Sequence, residues 1–100
     1  WNTYAAMALP GSQLYKNAIE KKTKLPDSYE GYSFHSYETL PLPTDTLKPE
    51  EILQYRDQSY RNYHTNQTFL DKIEKKFGKK AIENIKEMSK VNLKRKILGD

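Results

Sequence analysis

The sequence contains no cysteine. This absence excludes disulfide frameworks, thiolate metal sites, cysteine nucleophiles and cysteine-ligated iron–sulfur clusters from this chain. It is also typical of a reducing compartment, so we expect a cytoplasmic protein. Long apolar runs are absent too: no segment approaches the roughly 18 apolar residues of a membrane span, and no signal peptide is present. We therefore expect no membrane among its partners.

Aliphatic residues are also scarce. Only 36% of the 100 residues are apolar, and eight of those residues are tyrosines. Globular domains usually reach about 45–50% apolar residues, so a thin core with many amphipathic aromatic side chains is expected. The length suits a single small domain.

Charge is unevenly divided between the two halves of the chain. Residues 1–47 hold four lysines against five acids, whereas residues 48–100 hold thirteen Lys/Arg against eight Asp/Glu. A basic half can attract phosphate or an acidic partner. Lysines that alternate with glutamates are more often a solvated helix face, so nucleic acid is the less favoured partner.

The first region, residues 1–24, opens on an apolar stretch. Residues 2–9 contain three alanines and predict either a buried strand or a short helix. A hydrophobic element directly at Trp1 indicates a piece of a longer protein. Ser12 is a suitable helix cap, and apolar residues from Leu14 to Ile19 at helical spacing predict a helix over 12–22.

The second region, residues 25–47, is rich in tyrosine and proline and fits no helical period. Pro41 and Pro43 forbid a helix interior. The same stretch collects aromatic and polar side chains, namely Tyr32, Phe34, His35 and Tyr37. It therefore predicts an ordered, extended connector. A histidine in such a loop is more often a packed, hydrogen-bonded residue than a catalytic one.

The third region, residues 48–100, predicts three amphipathic helices. The first begins at Pro49 and runs to about Tyr63, and the second follows Asn66 as its cap and ends at Gly78. The third follows directly, with Leu93 and Ile97 on its inner face. The fold class is thus mainly α: a small cluster of about four helices, an irregular connector and, as an alternative, one N-terminal strand.

No constellation in the sequence predicts catalysis by this chain alone. His35 and His64 lack the i,i+4 partner of a helical metal site, and His64 is expected at the surface or as a cap. Glu50 and Glu51 suit the first turn of a helix, and no glycine-rich phosphate loop is present. We expect no catalytic residue, no metal site and no cofactor in this chain.

The sequence from Asn2 to Tyr15, N-T-Y-A-A-M-A-L-P-G-S-Q-L-Y, resembles the closing strand and turn of the catalytic barrel in radical S-adenosylmethionine enzymes. The subgroup that it resembles carries an N-terminal cobalamin-binding domain and includes proteins labelled anaerobic magnesium-protoporphyrin IX monomethyl ester cyclase. The resemblance continues, in the same order, through Tyr32-Ser33, His35–Thr44, Tyr55-Arg56-Asp57, Thr65-Asn66, Lys76-Phe77-Gly78 and Leu93–Lys96.

The resemblance implies a C-terminal fragment that completes or covers the barrel opening of its parent enzyme and is inactive alone. The cluster-binding cysteines and the cobalamin domain would then lie upstream. The parent would use a 4Fe-4S cluster and S-adenosylmethionine, with cobalamin as a further candidate. Met7 would lie near S-adenosylmethionine, and His35 and Tyr37 would face the substrate. The partner of this piece would be the remainder of its own parent chain.

Two other functions stay open at the level of sequence. The chain could be a small basic helical module that binds nucleic acid, in which case its affinity would fall steeply with ionic strength. It could also be a module that binds a protein partner or associates with itself through residues 1–9, because a severed barrel strand leaves apolar surface uncovered.

Overall fold

The computed structural model describes residues 2–100. Its helices are α1 (Gln13–Glu20), α2 (Pro49–Thr65), α3 (Gln67–Phe77) and α4 (Lys79–Ser89), with short 3₁₀ helices at Tyr29–Tyr32 and Lys96–Leu98. The described residues contain no β-strand. The prediction of a mainly α fold with about four helices is confirmed. The N-terminal strand that was the alternative does not form.

The described residues divide into two compact units. We call Tyr4–Tyr55 together with Leu93–Asp100 the connector unit. We call residues 2–3 together with Arg56–Asn92 the helical unit. The predicted connector and both predicted substrate-facing side chains belong to the connector unit.

The helix starts follow from local capping chemistry. Ser12 Oγ accepts a hydrogen bond from the backbone N–H of Tyr15 at 3.2 Å, so α1 begins one residue after its cap. Asn66 Oδ1 accepts from the N–H of Phe69 at 3.1 Å in the same way at the start of α3. α2 begins at Pro49, as predicted, with two glutamates in its first turn.

Gly78 separates α3 from α4 and has a φ of +89° and a ψ of 177°. Side chains other than hydrogen are strongly disfavoured in this backbone region, which explains the glycine. Its N–H donates to the carbonyl of Glu74 at 2.8 Å and closes the last turn of α3. Gly78 is thus the C-cap of α3, as predicted, but its ψ lies outside the left-handed helical region that was expected.

The last helix is shorter than predicted. α4 ends at Ser89, so Leu93 and Ile97 lie beyond it, Ile97 within the short 3₁₀ helix Lys96–Leu98. The backbone N–H of Arg95 donates to Asp100 Oδ2 at 2.9 Å, and that of Lys96 donates to the carbonyl of Tyr37 at 3.0 Å. These bonds take both amides out of any helical ladder, because each N–H has one strong partner at most. The prediction of a helix through residue 97 is wrong for this reason.

Both units have small cores, in keeping with the scarcity of aliphatic residues. In the helical unit α3 contacts α4, and Leu70 and Ile82 are buried. In the connector unit the buried apolar side chains include Ala8, Ala18, Phe34 and Leu53. Two polar residues of the connector unit, Thr39 and Arg95, are completely buried. Complete burial of an arginine or a threonine side chain is unusual, so these two residues mark the part of the connector unit that holds the candidate site.

Candidate functional site

The connector folds into a compact series of turns between its 3₁₀ helix and its prolines. The N–H of Ser33 donates to the carbonyl of Glu30 at 3.0 Å, and that of Ser36 donates to Ser33 at 3.1 Å. The N–H of Leu40 returns to the carbonyl of Gly31 at 3.0 Å. Residues 31–40 therefore form a closed loop, which we call the connector loop.

Gly31 is required where the connector loop closes. A Cβ at this position would lie 2.3 Å from Pro26 Cβ and 3.2 Å from the carbonyl oxygen of Glu38. Carbon atoms that are not bonded to each other do not approach so closely, so no larger residue fits without movement of the backbone. The glycine thus allows Pro26 to pack directly against the loop.

Arg95 is the central polar group of the connector loop. Its side chain is fully buried, and Nη1 donates to the carbonyl oxygen of Phe34 at 2.7 Å. The same nitrogen lies 3.4 Å from the carbonyl oxygen of Ser36, and the guanidinium carbon lies 5.3 Å from the Phe34 ring centroid. A guanidinium can serve several acceptors and a ring face together, which a lysine ammonium does less well.

The C-terminal segment adds further bonds to the connector loop. The backbone carbonyl of Tyr37 accepts a hydrogen bond from the backbone N–H of Lys96 at 3.0 Å. The Tyr37 hydroxyl donates to the carbonyl oxygen of Asp100 at 2.7 Å. Lys96 Nζ lies 3.1 Å from Glu38 Oε2. This hydrogen bond and the charge of Glu38 raise the pKa of Lys96 above its usual value of 10.5. The segment Leu93–Asp100 therefore clamps the loop at several points, and we call it the C-terminal clamp.

His35 points to the outside of the connector loop. It is exposed and its ring makes edge-to-face contacts with Phe34, at 5.4 Å between centroids, and Tyr4, at 6.0 Å. Tyr4 also meets Phe34 edge to face at 5.2 Å. The three rings form one aromatic cluster in a geometry that rings prefer. His35 thus combines an accessible imidazole with a fixed aromatic neighbourhood.

The predicted site residues do not form one catalytic group. His35 lies in the aromatic cluster, whereas the Tyr37 hydroxyl is directed to Asp100 in the C-terminal clamp. Met7 is half-buried in the segment 4–9, which precedes α1, and no hydrogen bond between described residues joins it to either side chain. The structure therefore brings all three into the connector unit without assembling a nucleophile, a base or a metal site from them.

Tyr32 is the other perturbed titratable group of the connector unit. Partial burial, with smaller effects of Tyr15 and Tyr29, raises the pKa of its phenol above the ordinary 10.0. The neutral phenol is the form that the fold prefers. The raised pKa therefore keeps the Tyr32 phenol protonated at neutral pH.

Sequence reasoning missed Arg95, Thr39 and Tyr4. Arg95 stands between two lysines in a segment that suggested a cationic helix end, and its burial depends on residues about sixty positions earlier in the chain. The one feature of the sequence that could have indicated its burial is that it is an arginine among the lysines of this C-terminal segment. Thr39 Oγ1 is buried and has no hydrogen-bond partner among residues 2–100. Nothing in the local sequence could have indicated that state.

The helical unit has a separate surface pocket of about 560 Å³ lined by Ser59, Asn62, Tyr63, Asn66 and Phe69. His64 lies close by but is only 5% exposed, so the prediction that it lies at the surface is wrong. Its Nδ1 is 2.8 Å from the carbonyl oxygen of Tyr60, and the Tyr60 ring lies 4.2 Å away. Aromatic neighbours on α2 and α3 explain why it is buried.

Arg56 joins residues 2–3 to α2 within the helical unit. Its Nε donates to the carbonyl of Thr3 at 2.9 Å, and a terminal nitrogen donates to Asn2 Oδ1 at 2.9 Å. The guanidinium also lies 4.9 Å from the Tyr60 ring centroid and 3.2 Å from Asp57 Oδ1. Its bonds are structural, and none of them leaves a reactive group exposed.

Within residues 2–100 no group of three His, Asp or Glu side chains could hold a metal ion. None of the helices in this part of the chain is long and apolar enough to cross a membrane. The best-defined site in the described residues is the connector loop with its aromatic cluster and C-terminal clamp.

Comparisons with protein-family models, curated proteins and solved structures found no match to this chain.

Proposed function

We propose that this chain is the C-terminal part of a radical S-adenosylmethionine enzyme, where it completes the barrel and covers its opening. In this proposal it performs no chemistry alone. The parent is a cytoplasmic enzyme of the subgroup with a cobalamin-binding domain. The sequence resemblance described above motivates the proposal, and one structural observation supports it most directly.

That observation concerns the backbone N–H groups of residues 5–9, which precede α1. Residues 4–9 form no helix or strand, and the backbone N–H groups of residues 5–9 donate no hydrogen bond to any of residues 2–100. The carbonyls of this segment do accept bonds: Ala6 accepts from the N–H of Leu42 at 2.9 Å, and Leu9 accepts from the N–H and the hydroxyl of Ser12 at 3.0 and 2.6 Å. A segment whose N–H groups have no partner among residues 2–100 is available to pair with another strand. A position inside a parallel barrel would satisfy these amides.

The side chains of the same segment fit this role. Tyr4 is 63% exposed and Leu9 is 51% exposed, whereas Ala8 is buried. Strands of a barrel are covered on both faces, so exposed apolar side chains at these positions are expected to pack when neighbouring strands and helices are present. Covering them would remove apolar surface from water and stabilise the assembled barrel.

The connector loop would then lie at the mouth of the barrel. The loop begins at residue 31, after α1 has ended at Glu20. Barrel enzymes build their sites at the carboxyl ends of the strands, so in this proposal the chain returns to that end after α1. In this arrangement His35 and Tyr37 face the substrate, and Met7 approaches S-adenosylmethionine. The clamped loop supplies a rigid wall at this opening.

Residues 2–100 do not supply the ligands of an iron–sulfur cluster. They hold no cysteine, and they hold no group of three His, Asp or Glu that could replace thiolates. The cluster and cobalamin therefore belong to the rest of the parent chain in this proposal. No chemical step is assigned to the residues of this piece.

The reading frame upstream of Trp1 provides the first test. A C-x-x-x-C-x-x-C motif in the same frame supports the proposal, and a complete frame without cysteine motifs contradicts it. In the full-length enzyme, His35→Ala and Tyr37→Ala should each lower turnover at least about tenfold with normal cluster content. Tyr29→Ala is the matched control, because Tyr29 is an exposed aromatic residue outside the aromatic cluster.

A further inference from the structure

We propose that Arg95 is a positioning residue that fixes the backbone of the connector loop around His35 and so sets the direction of the imidazole. The inference deepens the proposed function, on which it rests only for the idea that His35 meets a substrate. The positioning itself is a property of this chain. It can be measured without any turnover.

The geometry that carries the inference is the pair of carbonyls held by Arg95. They belong to Phe34 and Ser36, the residues immediately before and after His35, and both face Nη1, at 2.7 and 3.4 Å. Fixing the peptide groups on both sides of a residue leaves its Cα–Cβ bond little freedom of direction. His35 must then project away from the buried guanidinium, and it is indeed exposed.

The neighbouring rings extend this control to the imidazole. The guanidinium lies over Phe34, and Phe34 in turn contacts the ring of His35. Arg95 therefore acts on His35 by two connected routes, through the backbone carbonyls and through the Phe34 ring. Both routes start from a side chain that is completely buried, where hydrogen bonds to a charged group are strong and their loss is costly.

Arg95 is itself held in place from the other side. Its backbone N–H donates to Asp100 Oδ2 at 2.9 Å, and the next residue, Lys96, is bonded to Tyr37 through its backbone. Arg95 is therefore itself held in a fixed position, as a residue that positions His35 must be. Lys94, one residue earlier, is exposed and gives a matched control.

The test compares Arg95→Met, which keeps an unbranched apolar stem but no donors, with Lys94→Met and the unchanged chain. Amide hydrogen exchange is followed by NMR at Ser36, Thr39 and Leu40, which donate within the connector loop, and throughout α3. The ring-proton shifts of His35 report its orientation relative to the Phe34 and Tyr4 rings. We expect Arg95→Met to speed exchange in the loop at least about tenfold and to move the His35 ring shifts, with α3 unchanged. Lys94→Met should change neither.

Two outcomes would overturn the proposal. If loop exchange and the His35 shifts are unaffected in Arg95→Met, then Arg95 does not position His35. If α3 loses its protection together with the loop, then Arg95 stabilises the whole chain and has no specific relation to His35. Either failure leaves the assignment to a radical S-adenosylmethionine enzyme untouched, and failure of that assignment leaves this measurement valid.

Discussion

Arg95 contacts Phe34 twice: its guanidinium carbon lies 5.3 Å from the centroid of the Phe34 ring, and its Nη1 donates to the Phe34 carbonyl oxygen at 2.7 Å. The side chain and the backbone of one connector residue are thereby tied to a single buried cation. This relationship joins two segments that are distant in sequence, and it explains how a loop with little regular structure is ordered.

Thr39→Val should stabilise the protein by about 1 kcal/mol, because it keeps the shape of the side chain and removes a buried hydroxyl that finds no hydrogen-bond partner in the described part of the chain. Thr39→Ser is the control, since it keeps the hydroxyl and removes a methyl group, and it should cost about 1 kcal/mol. Chemical unfolding measures both. A loss of stability in Thr39→Val would mean that the hydroxyl has a partner in solution.

Gly31→Ala should destabilise the connector unit by about 1–3 kcal/mol, because its new Cβ would lie 2.3 Å from Pro26 Cβ. Gly11→Ala provides the comparison. Its φ of +89° is unfavourable for alanine, but no atom lies within 4 Å of the added Cβ, so a cost near 1 kcal/mol is expected from the backbone alone. Thermal unfolding of the two variants separates these causes, and a smaller effect at Gly31 than at Gly11 would contradict the close packing.

His64→Ala should cost about 2–3 kcal/mol, because it removes a buried ring and leaves the Tyr60 carbonyl without its imidazole contact. His35→Ala should change stability by less than about 0.5 kcal/mol, since its imidazole is exposed. The free energies of unfolding of these variants test whether the two histidines have the opposite roles that the structure gives them. Equal effects would show that His64 is not packed as described.

The stability of the connector unit should decline at alkaline pH. The folded state raises the pKa of Tyr32 above 10.0 and that of Lys96 above 10.5, so it binds these protons more tightly than the unfolded chain does. The stability that these two groups contribute is fully present below pH 10 and is lost as the pH rises through their pKa values in the folded state. In Tyr32→Phe the decline above pH 10 should be shallower than in the unchanged chain. An identical slope would exclude Tyr32 as one of its causes.

Local chemistry made much of the helical content predictable. Ser12, Asn66 and Gly78 cap their helices through bonds to residues three or four positions away, and such bonds can be read from the sequence. Pro49 marks the start of α2 for the same reason. The mainly α fold and the starts of its helices can therefore be predicted from the sequence alone.

The parts that sequence could not predict depend on distant partners. α4 stops at Ser89 because the segment after it bonds to the connector loop, and a helical pattern of apolar residues does not reveal that competition. His64 is buried by a ring from the next helix, Phe69, as well as by neighbours on its own helix. Of the candidate site, His35 was identified from its aromatic surroundings, whereas Arg95, which holds it, was interpreted as a helix-end cation.

The central claim, that residues 4–9 are a barrel strand of a larger enzyme, is tested most directly by amide hydrogen exchange at residues 5–9. These amides have no partner among residues 2–100, so they should exchange rapidly in the 100-residue chain. In the full-length enzyme the account predicts that the same amides are strongly protected by neighbouring strands. Equally rapid exchange in both proteins would contradict it.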